Sequence, residues 1–385
     1  MKLFEPFEIQ GLRLQNRIVM APMTRSRVDD DGILTSLNAE YYAQRAQGGL
    51  IVSEAIVVDP VGRGYLLTPG LYTAEQVNGA ALVANAVHAK GGRIFAQLWH
   101  VGRVAHISTL PTGAIPVSPT AEPLNDTFVF GRDDQGRLGK VRCTPPRALT
   151  DDEVGLIIEQ FSTAAANAIE AGFDGVEILA ANGYLFDQFQ NSVVNTRSGY
   201  FGGATADSRI NLLRDTITAI QNKVGSVRIG VRLSPFGTFN GVPKDPKTAE
   251  TYLELASALE KLGVCYVHFN DEPVSIGHLN QEQVSNTVSS AENQFVRLIP
   301  SEFLREFRNR FKGAVIICGG LTFELAEKMQ KSDQADLFAF GIPFIANPDL
   351  PARLQNHWPL AKPDLETFYG GGAKGYIDYP AFSPA

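Results

Sequence analysis

Two uncharged polar groups close the apolar run at residues 176–189, VEILAANGYLFDQF: the amide of Asn182 and the phenol of Tyr184. An amide and a phenol at the mouth of a buried strand can both form hydrogen bonds, so the pair is a candidate for a functional site. Other β-branched and aromatic runs end in similar groups. Residues 17–22 lead to Thr24, residues 93–99 carry Gln97 and Trp99, and residues 227–234 carry Arg232. Runs 314–318 and 337–341 end in Gly319, Gly320 and Gly341, whose bare N–H groups can approach an anion closely. No HxxxH spacing or acidic cluster suggests a metal, and no GxSxG elbow carries a nucleophilic serine. The set suits a planar, hydrogen-bonding cofactor with a phosphate tail.

Residues so far apart need a scaffold that brings strand ends together. Eight short runs read as strands: 17–22, 50–55, 93–99, 175–180, 227–234, 264–270, 314–318 and 337–341. They are apolar nearly throughout, as parallel strands covered on both faces are. Helical patterns lie between them, at 37–47, 73–90, 150–171, 207–224, 248–262, 301–311, 323–331 and 350–356. The third opens with the capping-box pattern Thr150-Asp-Asp-Glu153. Eight strand-then-helix units predict an α/β chain folded as a (β/α)8 TIM barrel, one domain over residues 1–385. A doubly wound sheet is disfavoured, because no GxGxxG follows the first strand. Two non-periodic stretches, 104–147 after the third strand and 271–300 after the sixth, are expected as loop insertions on the catalytic face.

Composition narrows the class. A net charge of −7 with no basic stripe argues against a nucleic-acid partner. Three scattered cysteines without CxxC spacing fit a reducing compartment, so a cytoplasmic location is expected. No apolar stretch reaches membrane-spanning length, and the opening MKLFEPFEIQGLRLQNR has acids and a proline where a signal peptide needs an apolar run.

The ordered motifs resemble the old yellow enzyme family of FMN-dependent ene-reductases along nearly the whole chain. They include RIVMAPMTRSR, AEYYAQRAQGGLIVSEA, GYLLTPGLYT, AVHAKGGRIFAQLWHVGR, ANGYLFDQF, FIANPDLPARLQ and FYGGGAKGYIDYP. The resemblance implies FMN over the barrel mouth and NAD(P)H as reductant. It implies flavin contacts from Pro22, Met23, Thr24, Ala55, Gln97 and Arg232, and phosphate contacts from Gly319, Gly320 and Gly341. Tyr65, Trp99, Leu179 and Tyr369 would line the pocket of a small hydrophobic, alkene-bearing substrate. Asn182 would hold its activating oxygen, and Tyr184 would protonate its α-carbon. A monomer or homodimer is implied, without a nucleic-acid or membrane partner.

The chain departs from that pattern in three places. The family's first oxygen donor, a histidine, is Leu179. Its phosphate-clamping arginine, after the eighth strand, is Ile342. Residues 195–209 have lost acidic positions. These changes lead to the expectation of a weakened phosphate site, with Arg142 and Arg197 as candidate substitutes for the clamp. They also keep open a repurposed enzyme that isomerises, cyclises or dehydrogenates its substrate with the flavin redox-silent or absent.

Overall fold

The computed structural model describes residues 2–225, 227–271 and 297–383. Eight parallel strands close a barrel: β1 (Ile18–Met20), β2 (Leu50–Val57), β3 (Ile94–Trp99), β4 (Gly175–Ala180), β5 (Ile229–Leu233), β6 (Tyr266–Asn270), β7 (Ala314–Cys318) and β8 (Leu337–Phe340). Neighbours pair in chain order, and β8 returns to β1 with Phe338 beside Ile18. Helices follow the strands in turn: α1 (Ser36–Gln44), α2 (Ala74–Ala89), α3 (Asp151–Glu170), α4 (Ala206–Val224), α5 (Thr248–Lys261), α6 (Ser301–Arg310), α7 (Phe323–Lys331) and α8 (Leu350–Asn356). The capping box forms as the sequence predicts. Glu153 N–H donates to Thr150 Oγ1 at 3.2 Å, and the Thr150 N–H returns the bond to Glu153 Oε2 at 2.8 Å.

Because side chains alternate along a strand, each strand serves two cores. On β4, Val176, Ile178 and Ala180 face the helices in the main hydrophobic core, whereas Glu177 and Leu179 lie on the opposite, interior face. The bottom of the barrel is filled by Val19, Leu50, Val52, Phe95, Tyr266, Ile316 and Leu337. Ile9, Leu12 and Leu14 join that layer from an N-terminal hairpin, Phe7–Ile9 paired with Leu12–Leu14. Its two-residue turn places Gln10 and Gly11 at positive φ. The polar and aromatic residues are left for the other end.

The insertion at 104–147 differs from its reading as non-periodic. It contains an antiparallel hairpin, Phe128–Arg132 with Leu138–Arg142, while Val117–Ser118 pairs with Arg147–Ala148. These strands are short, and glycine and charged residues interrupt their alternation, so periodicity could not mark them. Residues 272–296 of the second insertion lie outside the described residues. Its ends are tied together: Asp271 Oδ2 accepts from Arg297 Nε at 2.6 Å, and Asp271 Oδ1 accepts from the N–H groups of Leu298 and Ile299.

Candidate active site

The interior positions near the C-terminal strand ends form a polar layer above the apolar plug. At its centre is the buried carboxylate of Glu177. It accepts from Gln97 Nε2 at 2.6 Å and Tyr266 OH at 3.0 Å, and lies 2.9 Å from His268 Nδ1. Burial opposes the charge on Glu177, but His268 and Arg232 hold its pKa below the usual value. Arg232 is buried beside it. One guanidinium nitrogen lies 3.7 Å from Cys318 Sγ, and Nε has no partner among the described residues. An orphaned buried donor beside the Gln97 amide is what a planar ring with carbonyl acceptors would satisfy.

Thr24, Pro22 and Met23 follow β1 and are half-buried at the rim. A register shift in β2 between Val52 and Ala55 brings Ala55 into line with Gln97. The backbone then turns through positive φ after β7. Gly319 and Gly320, after β7, have φ of 114° and 53°, which free their N–H groups from the strand ladder. Gly341 follows β8, and a Cβ there would lie 3.4 Å from Met23 Sδ, so the ends of β8 and β1 adjoin. Ile342, next in line, is buried against Ile345 and Phe368, with Met23 at the edge of the same cluster. No cation stands in for it among the two candidates. Arg197 bonds Asp151 and the carbonyls of Leu149 and Pro119, and Arg142 pairs with Asp126 beside Phe128. The residues present therefore fit the ring end of FMN and the glycine part of a phosphate site, without the arginine.

The opposite wall is dry and aromatic. Trp99 stacks on Tyr65 at 5.7 Å between centroids and meets Tyr184 edge-on at 5.0 Å. Leu179 and Ala55 belong to the same cluster. Tyr184 caps the short helix Leu185–Gln190 and is buried. Burial pushes its phenol up to about 12, against the lowering effect of hydrogen bonds from Tyr65 and Asn240. At neutral pH the group thus carries its proton. Tyr369 comes from the C-terminal segment, half-exposed at the rim yet near enough to raise the pKa of both Tyr65 and Tyr184.

Asn182 joins the two walls. Its φ is 60°, and Gly183 follows at 77°. A side chain at Gly183 would sit 2.5 Å from the Phe239 carbonyl oxygen, so only glycine fits. The turn is held from several elements. Asn182 N–H donates to Ser234 Oγ at 2.7 Å, Gly183 N–H to Asp187 Oδ2 at 2.8 Å, and Asn240 Nδ2 to the Asn182 carbonyl at 2.9 Å. The structure brings Gln97, Arg232, Trp99, Tyr65, Leu179, Asn182 and Tyr184 to one end of the barrel. Sequence reading missed Glu177, His268, Asn240 and Asn270, which hold these residues. For three of them the alternation along β4 and β6 was the available signal, since it places Glu177, His268 and Asn270 on the interior faces.

A closed (β/α)8 barrel with this mouth defines a barrel flavoenzyme of the oxidoreductase class. The model of the NADH:flavin oxidoreductase / NADH oxidase family matches residues 2–361. 12-Oxophytodienoate reductase 7 of Oryza sativa subsp. japonica is 39% identical over 98% of this chain and 94% of its own. A flavin oxidoreductase of Emericella nidulans is 39% identical over 98% and 97%. Morphinone reductase in complex with tetrahydroNAD superposes with a TM-score of 0.90 at 39% identity, covering 100% of this chain and 98% of that one. The chain belongs to this family, that of the old yellow enzymes, and is an oxidoreductase with FMN as cofactor and NAD(P)H as reductant. Among the described residues, no helix is long and apolar enough to cross a membrane, and no His, Cys, Asp and Glu side chains group into a metal site.

Proposed function

We propose that the protein reduces an activated alkene, with Tyr184 as the proton donor and Asn182 as the donor to the activating oxygen. The observation that carries this reading is the protonated, buried Tyr184 phenol, held by Tyr65 and Asn240 two residues from Asn182. When bound, FMN supplies the hydride that NAD(P)H has delivered to it. The protein does the rest. Thr24, Gln97 and Arg232 would hold the ring, and the Arg232 cation would favour negative charge at its pyrimidine edge. Asn182 would polarise the substrate oxygen as charge develops there. Tyr184 would pass its proton to the α-carbon, while Trp99, Tyr65 and Leu179 exclude water. Ala55, Pro22, Met23, Gly319, Gly320 and Gly341 would provide backbone contacts to the ring and phosphate. The chain would act as one barrel domain in the cytoplasm.

Tyr184→Phe tests the assignment. Stopped-flow absorbance of the FMN-loaded enzyme should show flavin reduction by NADPH little changed. Reoxidation by cyclohex-2-enone should slow by about a hundredfold or more. Equal slowing of both half-reactions would mean that the phenol shapes the pocket and does not donate the proton.

Two observations favour a second reading, a redox-neutral enzyme acting on a hydrophobic intermediate: Leu179 and Ile342 are both buried in apolar clusters where the family carries polar side chains. An absorbance spectrum taken after incubation with FMN and desalting separates the readings. A retained flavin band supports reduction, and its loss moves the case to redox-neutral chemistry around Tyr184 and Asn182.

A further inference from the structure

Leu179, on β4, leaves the substrate oxygen with one donor, Asn182, in the turn that follows. Another strand brings a polar group to it. Asn270 ends β6 on the interior face, in register with Tyr266 and His268, both of which reach Glu177. Its Nδ2 donates to Asn182 Oδ1 at 2.9 Å. Its Oδ1 is buried and has no partner among the described residues. Ser234 and Asn240 hold the Asn182 backbone on both sides.

One hydrogen bond between two primary amides uses an N–H of one and the carbonyl of the other. What remains is the complementary set: the NH2 of the accepting residue and, on the donating one, a C=O with its second N–H. This holds whichever amide is taken as the donor. The geometry points to a donor–acceptor edge, formed by Asn182 and Asn270, that selects substrates with an N–H next to the activating carbonyl: α,β-unsaturated amides and imides. The inference rests on the proposed alkene reduction and narrows its substrate class. A ketone or ester oxygen would engage the donor but leave the Asn270 acceptor buried and unmatched, and sites built for a hydrogen-bonding group discriminate against analogues that lack it. The Leu179, Trp99 and Tyr65 wall would take the apolar body of the same molecule.

Two pairs of probes test this on the full-length, FMN-loaded protein. Maleimide and N-methylmaleimide are compared by kcat/KM. The non-reducible succinimide and N-methylsuccinimide are compared by calorimetric titration. The N–H compound of each pair should be preferred by about tenfold or more. In Asn270→Leu the ratio should fall to about one. A merely steric bias against the methyl group would survive in that variant, which keeps the bulk of the side chain. Equal handling of both members by the unmodified protein, or an undiminished ratio in Asn270→Leu, overturns the inference. If succinimide binds selectively but neither maleimide turns over, the reductase reading falls while the edge stands. Turnover of both maleimides at one kcat/KM does the reverse.

Discussion

Leu179 and Ile342 are single side chains, and their effects differ in kind. Leu179 lies on the interior face of β4, two residues beyond Glu177, close to Tyr184 and Trp99. A histidine at that position would add a second donor to the developing oxyanion. Losing one such donor costs about 10²–10³ in rate elsewhere, so Leu179→His should raise cyclic-enone reduction by about tenfold or more, read as kcat/KM in NADPH consumption. No gain would mean that the pocket does not place the substrate oxygen near β4. Ile342 contributes to folding instead, since it packs on Ile345 and Phe368. Ile342→Arg should therefore do two opposing things. It should tighten FMN binding by about one to three decades through a charge-assisted contact, measured by fluorescence quenching. It should also lower the stability of the FMN-free protein by about 1–3 kcal/mol, because the apolar contacts are lost. Unchanged FMN affinity would show that the phosphate does not lie by this position.

At the scale of elements, the turn after β4 that carries Asn182 depends on the end of its neighbour β5 and on the short helix that begins after Tyr184. Asp187, on that helix, accepts from Gly183 N–H at 2.8 Å and from Tyr252 OH at 3.0 Å, and burial raises its pKa to about 6. Asp187→Ala leaves a buried N–H and a buried hydroxyl without this acceptor. It should cost about 2–4 kcal/mol in urea unfolding, and Asp187→Asn less, because an amide oxygen can still accept from Gly183. An alanine variant as stable as the parent would mean that the turn stands without the carboxylate. None of this tie was legible beforehand, although the elements themselves were. Residues 175–180, 314–318, 323–331 and 350–356 form the elements expected of them, and α3 begins at its capping box. Burial on both faces makes a parallel strand read as a continuous apolar run, and caps mark helix starts, so both signals are local. Glu177 and His268 are 91 residues apart. Alternation shows that both face inward but cannot say that they meet. The hairpin that plugs the barrel was missed for a related reason, because three-residue strands are too short to show a period.

At the scale of the whole molecule, the segment after β1 and the C-terminal segment lock together at the rim. Arg25 and Arg27, just after β1, are buried and donate mostly to backbone carbonyls. Arg25 bonds Thr367, Phe368 and Gly375, and Arg27 bonds Thr367, Gly372 and Lys374. Tyr376 stacks on Tyr41 with centroids 4.0 Å apart. This strap carries Tyr369 to the rim and Phe368 onto Ile342. Glu54, on β2, lies beneath it and accepts from Arg25 N–H at 3.3 Å. Desolvation outweighs the nearby cations and raises the Glu54 pKa from 4.5 to about 7. The folded value thus lies above the unfolded one. The stability tied to the protonated acid is fully present below pH 4.5 and is lost as the pH rises through 7. Glu54→Gln removes that titration while keeping the shape and an acceptor for Arg25. Unfolding free energies of the parent and of Glu54→Gln, taken from denaturant titrations at pH 4, 5, 6, 7 and 8, should diverge as the pH rises. The variant should gain on the order of 3 kcal/mol relative to its position at pH 4. Its activity should vary less between pH 6 and 8, because the strap that places Tyr369 would no longer sit on an acid that ionises there. Parallel stability curves would mean that Glu54 titrates alike in the folded and unfolded chain, and a parent that gains on the variant as the pH rises would mean that Glu54 is ionised in the fold and pairs with Arg25 and Arg27. The strap would then be held by charge, and added salt should loosen it.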